Sequence, residues 1–191
     1  MKRLKDGTEC ILGLGANLPF AGAGPAPNLR AAINEISATT ISNVTVSGFY
    51  LSTPVPHTDQ PDFVNCVMSG TTQLSAKELM ARCQSMETQY GRERDGRWQA
   101  RTLDIDILDY GGQILPTAGD WTKLMQDGRD GTIAADLIVP HPRLHERGFV
   151  LKPLAEIWPD WSHPVLGKTA LELLNSLGSE EVDDVRPIFA E

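Results

Sequence analysis

From residue 101 to residue 110 the chain reads Arg-Thr-Leu-Asp-Ile-Asp-Ile-Leu-Asp-Tyr, and its polarity alternates from Thr102 onward. A period of two predicts a β-strand with Leu103, Ile105 and Ile107 on one face and Asp104, Asp106 and Leu108 on the other. Two neighbouring carboxylates repel each other unless a cation lies beside them. Because Mg²⁺ is a hard cation that prefers oxygen ligands, the stretch predicts a magnesium site. The alternative is a solvated sheet face without a ligand.

A cluster of arginines precedes this strand and strengthens the metal hypothesis. It contains Arg92, Arg94, Arg97 and Arg101, with Trp98 among them. Guanidinium groups bind phosphate oxygens in a bidentate manner, and metal-bound carboxylates neutralise the same phosphates. The combination indicates phosphoryl chemistry. An arginine-rich surface loop without a ligand is the alternative.

Length and composition narrow the class of protein. The chain has 191 residues, of which 41% are hydrophobic and 22% charged, and these are ordinary values for one globular domain. Its net charge of −8 argues against a nucleic-acid-binding protein, whose domain would be basic. No apolar stretch reaches the length of a membrane span, and three scattered cysteines suggest neither disulfides nor a zinc site. We therefore expect a cytoplasmic enzyme, without membrane or nucleic-acid partners.

The order of predicted elements indicates the fold class. Four strands are predicted, at residues 9–14, 44–51, 63–72 and 103–110. One helix is capped by Asn28, and another begins with a capping box of Ser75 and Glu78. The resulting β-α-β-β-α-β order predicts an α+β, ferredoxin-like domain, with a largely antiparallel sheet and both helices on one face.

We expect one domain over residues 1–191, with a core at about 9–160. An extended insert is predicted at about 111–136, and a further helix at about 169–177.

Gly13 and Gly15 are predicted to form a glycine-bearing turn after the first strand. They do not form a dinucleotide-binding fingerprint, because Leu18 stands where a third glycine is required.

Several segments together resemble the 6-hydroxymethyl-7,8-dihydropterin pyrophosphokinase family of the folate pathway. They occur in family order and cover roughly residues 10 to 160. The matching segments are Leu14-Gly15-Ala16-Asn17-Leu18, Phe49-Tyr50, Asp59-Gln60-Pro61-Asp62-Phe63-Val64-Asn65, Glu87, Gly91-Arg92, Arg97-Trp98, the stretch 101–106, Val139-Pro140-His141 and Arg147-Gly148-Phe149.

The resemblance implies transfer of the β,γ-pyrophosphoryl unit of ATP to the hydroxymethyl group of the pterin, with release of AMP. It implies that Asp104 and Asp106 ligate two Mg²⁺ ions, and that Arg92 and Arg101 stabilise charge on the transferred group. The residues implied to bind ATP are Gln84, Glu87, Arg94, Trp98, Ile107, Ile138, His141 and Arg147.

The resemblance also implies a pterin pocket. The flat heterocycle would stack between Phe63 and Phe149, and the Asn65 amide would contact its polar edge. Without the family context, core packing would be the simpler role for both rings. The residues implied to complete the pocket are Ser52, Thr53 and Val55 through their main chain, Asp104, and Trp98 as part of a lid.

Some features depart from the family pattern. The insert at 111–136 is long, the lid segment 93–96 is short, and Asp136 and Pro142 stand where they would weaken ATP binding. Two alternatives remain open: a two-metal nucleotide hydrolase and a non-catalytic pterin-binding module. We expect a monomer whose partners are its small-molecule substrates.

Overall fold

The computed structural model describes residues 7–56, 58–92, 99–126 and 137–189. Six strands form one sheet in which every pairing is antiparallel, in the order β5-β1-β4-β3-β6, with β2 also paired to β4. The strands are β1 (Thr8–Ala16), β2 (Ser42–Val46), β3 (Phe49–Ser52), β4 (Phe63–Thr72), β5 (Asp104–Tyr110) and β6 (Arg186–Ile188). The helices are α1 (Pro25–Thr39), α2 (Ala76–Gln89), α3 (Ala118–Gln126), α4 (Gly148–Ile157), α5 (Ala170–Asn175) and α6 (Ser179–Asp183), with a 3-10 turn at Leu144–Glu146.

The first face of the sheet is covered by α1 and α2. Their apolar residues, among them Leu29 and Ile36 of α1 and Leu79 and Met86 of α2, pack in one buried cluster with Leu12 of β1. The capping box at the start of α2 forms as predicted, since Ser75 and Glu78 bind each other's main-chain N–H. This arrangement confirms the predicted ferredoxin-like fold class.

The second face is covered by α4 and α5. Helix α4 is not predicted from the sequence. Leu151 and Leu154 of α4 pack in a second cluster with Leu108 of β5. Pro153 lies inside this helix and disguises it in the sequence, because proline lacks the N–H that a helix interior needs. Burial of the apolar face stabilises the helix despite the proline.

The alternation along β5 is confirmed. Ile105 and Ile107 pack in the cluster beneath α1 and α2, whereas Leu108 packs beneath α4. Asp104 and Asp106 share the α4 side with Leu108 because successive side chains point to opposite faces.

Three differences from the predicted element boundaries bear on the fold. β1 extends to Ala16, so Gly13 and Gly15 lie within the strand and the prediction of a turn there is wrong. The first helix begins at Pro25 after Gly24, and Asn28 lies inside it, with its Nδ2 donating to the Ala23 carbonyl at 3.3 Å. Proline is favoured in the first turn of a helix, where its missing N–H costs little. The strand predicted at 44–51 is two strands, β2 and β3, separated at Ser47, whose hydroxyl accepts from Val67 N–H at 3.0 Å.

The described residues after β5 contain more regular secondary structure than predicted. The insert contains α3, whose Trp121 is fully buried and donates its indole N–H to the Pro140 carbonyl at 2.9 Å. The predicted C-terminal helix is present as α5, and α6 and β6 follow it. Within the four described ranges, no helix combines the length and apolar character that crossing a membrane would need.

Candidate active site

A cavity of about 720 Å³ lies at the end of the sheet where β1 and β3 finish and β4 and β5 begin. Most of the residues predicted for the site line it. They are Ser52, Thr53, Val55, Phe63, Asn65, Gln84, Glu87, Arg92, Arg101, Asp104, Asp106, His141, Arg147 and Phe149. Residues far apart in the sequence therefore meet in one space.

Strand register explains how two parts of the predicted site are brought together. Gly15 of β1 pairs with Asn65 on one side and with Asp104 on the other. Adjacent strands are about 4.8 Å apart, so the amide and the carboxylate stand two strand spacings apart, at about 10 Å. The sheet itself thus sets the separation between the predicted pterin edge and the predicted metal ligands.

Gly13 and Gly15 form part of the cavity lining. A Cβ at Gly15 would lie 3.2 Å from Asn65 Oδ1, and one at Gly13 would lie 3.4 Å from the Leu108 side chain. The two glycines keep the cavity open where a side chain would crowd it. No role in the site is predicted for them. Their spacing of two, which places both on one face of a strand, is the sequence feature that could have indicated it.

Asp104 is held by two arginines. Arg92 pairs with its Oδ1 and Arg101 with its Oδ2. Burial raises the pKa of the Asp104 carboxyl, and the negative charge of Asp106 raises it further, while Arg101 and Arg92 oppose both effects. The sequence predicts that the two carboxylates repel each other. In the structure, the guanidinium groups of Arg92 and Arg101 offset this repulsion at Asp104.

Asp106 is bound more loosely. Its side chain is 41% exposed, and its Oδ2 lies 3.9 Å from Arg147 Nη1 and 4.0 Å from His141 Nε2. Among the described residues no group of three His, Cys, Asp or Glu side chains is placed to hold a metal. Two carboxylates alone suit Mg²⁺, which keeps waters and substrate phosphate oxygens as its other ligands. The donor set therefore fits a magnesium–nucleotide complex.

His141 is set up as a neutral hydrogen-bond donor. Its Nδ1 accepts from the main-chain N–H of Arg143 at 3.2 Å, which leaves the proton on Nε2. Burial lowers the His141 pKa to about 3, and the positive charge of Arg147 contributes. Arg147 in turn lies over the Phe149 ring, with its guanidinium carbon 5.5 Å from the ring centroid. It thus connects the predicted phosphate side of the cavity to the predicted pterin side.

Glu87 borders the cavity and also has a structural role. Its side chain is almost fully buried, accepts from the main-chain N–H of Ile105 at 2.8 Å and pairs with Arg92. It therefore positions the strand and the arginine, although it also borders the cavity.

Two predicted nucleotide-binding residues, Ile107 and Ile138, are not brought to the cavity. The Ile107 side chain is buried in the cluster beneath α1 and α2, on the opposite face of β5 from the aspartates. Ile138 is half-buried and does not line the cavity. Arg94, Trp98, Asp136 and the lid segment 93–96 lie outside the described residues.

Asn17 is a positioning residue that sequence reasoning missed, although it falls in a matching segment. Its Oδ1 accepts from the main-chain N–H of Arg101 at 2.6 Å, and its Nδ2 donates to the Pro61 carbonyl at 3.0 Å. The side chain is 2% exposed. Asn17 thus joins the arginine segment to the loop that precedes β4.

On the predicted pterin side, Asn65 is oriented by its neighbours. Its Nδ2 donates to Ser52 Oγ at 2.9 Å and to the Phe63 carbonyl at 3.4 Å. Asn65 is buried, and the Phe63 and Phe149 side chains both border the same cavity. A fixed amide and two aromatic rings that border one cavity can bind a flat, polar-edged heterocycle.

Comparison with known proteins identifies the family. The model of the 7,8-dihydro-6-hydroxymethylpterin-pyrophosphokinase family matches residues 11–159. The chain belongs to this family. The predicted family and enzyme class are confirmed, and pyrophosphoryl transfer to a hydroxymethyldihydropterin in folate biosynthesis, with ATP as co-substrate, is the reaction of these pyrophosphokinases. Neither the hydrolase nor the non-catalytic module is favoured.

Individual relatives agree with the family assignment. The chain is 33% identical over 178 residues to the 2-amino-4-hydroxy-6-hydroxymethyldihydropteridine pyrophosphokinase of Synechocystis sp., covering 93% of this chain and 80% of that one. It is 39% identical over 150 residues to the Haemophilus influenzae pyrophosphokinase of the same name, covering 78% and 81%.

A solved structure of a Plasmodium falciparum HPPK-DHPS triple mutant matches with a TM-score of 0.67 at 14% identity and covers 97% of this chain. This chain spans 48% of that longer protein, and the likeness shows the fold alone.

Proposed function

We propose that this chain transfers the β,γ-pyrophosphoryl unit of ATP to the hydroxymethyl group of 6-hydroxymethyl-7,8-dihydropterin in the cavity at the end of the sheet. The observation that carries the proposal is that one cavity combines two unlike sets of residues. Paired aspartates with arginines and a histidine line it together with two aromatic rings and a fixed amide. Phosphates require the first set, and a flat heterocycle requires the second.

On the phosphate side, Asp104 and Asp106 would hold two Mg²⁺ ions. When bound, Mg²⁺ neutralises phosphate charge and aligns the reacting oxygens for in-line displacement. Arg92 and Arg101, which both pair with Asp104, would turn toward the transferred group and stabilise its charge. Gln84, which borders the cavity from α2, would contact the nucleotide.

His141 and Arg147 would bind the phosphates of ATP in complementary ways. His141 donates from Nε2 as a neutral group, since its pKa is lowered to about 3, and Arg147 supplies a permanent charge. Arg94 and Trp98 keep their predicted roles as a phosphate-binding arginine and a lid residue.

On the pterin side, Phe63 and Phe149 would stack on the two faces of the ring. Asn65 would bind the polar edge, assisted by main-chain groups of Ser52, Thr53 and Val55. The pterin hydroxyl oxygen then attacks the β-phosphorus, the bond from that phosphorus to the α-phosphate oxygen breaks, AMP leaves, and the hydroxyl proton passes to solvent. A loose transition state depends on positioning and charge rather than on a strong base.

We also propose a single catalytic domain that acts as a monomer in the cytoplasm. Elements from Thr8 to Ile188 contribute to one sheet and its two packed faces, which supports one domain. Cys10, Cys66 and Cys83 are free and buried, which suits a reducing compartment.

The experiment is AMP formation by the purified protein with Mg²⁺ and ATP, with and without 6-hydroxymethyl-7,8-dihydropterin. We expect AMP only when the pterin is present, with an equal amount of pterin diphosphate. ATP breakdown without pterin would contradict the proposal in favour of a nucleotide hydrolase. Pterin binding without turnover would contradict it in favour of a binding module.

A further inference from the structure

The C-terminal segment 179–188, which comprises α6 and β6, lies beyond the residues that match the family. It nevertheless packs beside the cavity. β6 pairs with β3, so that Arg186 stands opposite Leu51 at the end of the strand that leads into the cavity. The segment contacts two walls of the cavity, one at Thr53 and one at the start of α4.

The first contact is with the wall that follows β3. The main-chain N–H of Thr53 donates to Asp184 Oδ2 at 2.9 Å. Thr53 borders the cavity, and so does its neighbour Ser52, whose hydroxyl accepts from the Asn65 amide. Because a peptide unit is planar, a bond to Thr53 N–H fixes the orientation of the whole unit that joins Ser52 and Thr53.

The second contact is with the start of α4, which carries Phe149. Lys152 Nζ donates to the carbonyls of Val182 at 3.1 Å and of Val185 at 2.6 Å. The backbone also approaches closely, since a Cβ on Gly148 would lie 2.1 Å from the Glu181 carbonyl oxygen. The segment that carries Asp184 is therefore anchored to the helix bearing one of the two predicted stacking rings.

We propose that Asp184 is a positioning residue for the pterin. It holds the main chain at Thr53 in a fixed relation to Phe149 through the docked segment 179–188. The inference rests on the proposed function, because it assigns Thr53 and Phe149 to the pterin pocket. Asp184 does not border the cavity that contains Asp104 and Asp106, and its hydrogen bond is to Thr53 on the predicted pterin side, so we expect its effect on the pterin to exceed its effect on ATP.

Three variants separate this role from a general effect on the fold. Asp184→Ala removes the acceptor, Asp184→Asn keeps an oxygen that can accept from Thr53 N–H, and Asp183→Ala changes the exposed acidic neighbour in α6. Loss of a charge-assisted hydrogen bond corresponds to a change of about tenfold in an equilibrium constant. We expect Asp184→Ala to raise the KM for pterin by about that factor, with kcat, the KM for ATP and the melting temperature close to wild type.

Asp184→Asn should restore most of the pterin affinity, and Asp183→Ala should behave as wild type. An unchanged KM for pterin in Asp184→Ala overturns the inference, and so does an equal rise in both KM values with a lower melting temperature. Absence of pterin-dependent AMP formation in the wild-type protein is a different result, because it would contradict the proposed function itself.

Discussion

The carboxylate of Glu87 accepts a hydrogen bond from the main-chain N–H of Ile105 at 2.8 Å. Glu87 lies near the end of α2, and Ile105 lies between the two aspartates of β5. The same carboxylate pairs with Arg92, which also pairs with Asp104. One buried side chain therefore connects the helix, the arginine and the strand of the proposed metal site.

Substitution of Glu87 tests this connection. Glu87→Ala leaves the Ile105 N–H without its acceptor and removes one of the two carboxylates that pair with Arg92. We expect it to lower the free energy of unfolding by about 3 kcal/mol. Glu87→Gln keeps an acceptor for Ile105 but loses the charge, so it should lower kcat by about tenfold or more with a smaller loss of stability. Urea denaturation and steady-state kinetics measure the two effects.

Gln89→Ala is the control for Glu87, since Gln89 is an exposed residue of the same helix. It should change neither quantity. Wild-type stability in Glu87→Ala would show that the buried carboxylate is not the connection described.

Replacement of Asp106 by asparagine should separate catalysis from stability. The charge of Asp106 raises the pKa of Asp104, so its removal relieves repulsion within the fold. We expect the melting temperature to stay the same or rise, while turnover falls by about a thousandfold because a metal ligand is lost. Thermal melting with Mg²⁺ and a non-hydrolysable ATP analogue should show ligand stabilisation in the wild type and much less in the variant. Retained turnover would refute the metal assignment.

Gly148→Ala probes the close approach of α4 and the C-terminal segment. The added Cβ would collide with the Glu181 carbonyl oxygen, which belongs to the backbone and cannot rotate away. We expect the free energy of unfolding to fall by about 2 kcal/mol and the KM for pterin to rise, because Phe149 is displaced. Gly119→Ala in α3 is the matched control, since its Cβ meets nothing closer than 3.7 Å. It should be neutral or stabilising by about 0.5 kcal/mol. Equal stability of the two variants would contradict the prediction.

His163 should make the protein sensitive to acid. Its ring is fully buried, Nδ1 accepts from the main-chain N–H groups of Val165 and Leu166 at 3.2 Å, and burial lowers its pKa from 6.5 to about 4. Between these values the unfolded chain binds a proton that the folded chain does not. Between pH 6.5 and about 4, His163 alone therefore lowers the free energy of unfolding by about 1.4 kcal/mol for each pH unit of acidification.

His163→Asn keeps an acceptor for the two N–H groups but cannot titrate. We expect lower stability than wild type at pH 7.5, because the ring packing is lost, and a shallower decline between pH 6.5 and about 4. Urea denaturation at several pH values measures both. Parallel pH dependences in the two proteins would exclude His163 as the source.

Local patterns were sufficient for the central elements of the fold. The alternation around Asp104 and Asp106, the strand at 63–72 and the capping box at Ser75 are all as predicted. Periodicity and capping depend on residues a few positions apart, so they can be recognised in the sequence without knowledge of the tertiary structure. Most of the site residues that the family resemblance implied also border the cavity.

Only the tertiary structure decided how those residues are held. Helix α4 is not predicted from the sequence because it contains Pro153. The structure shows that burial of Leu151 and Leu154 against the sheet stabilises it. The bond between Thr53 and Asp184 joins positions 131 residues apart, and no local pattern specifies it. By itself, the sequence determined which chemical groups this pyrophosphokinase carries, because composition and short-range spacing encode them. Long-range packing determined their orientation, because it depends on which distant surfaces become buried against one another.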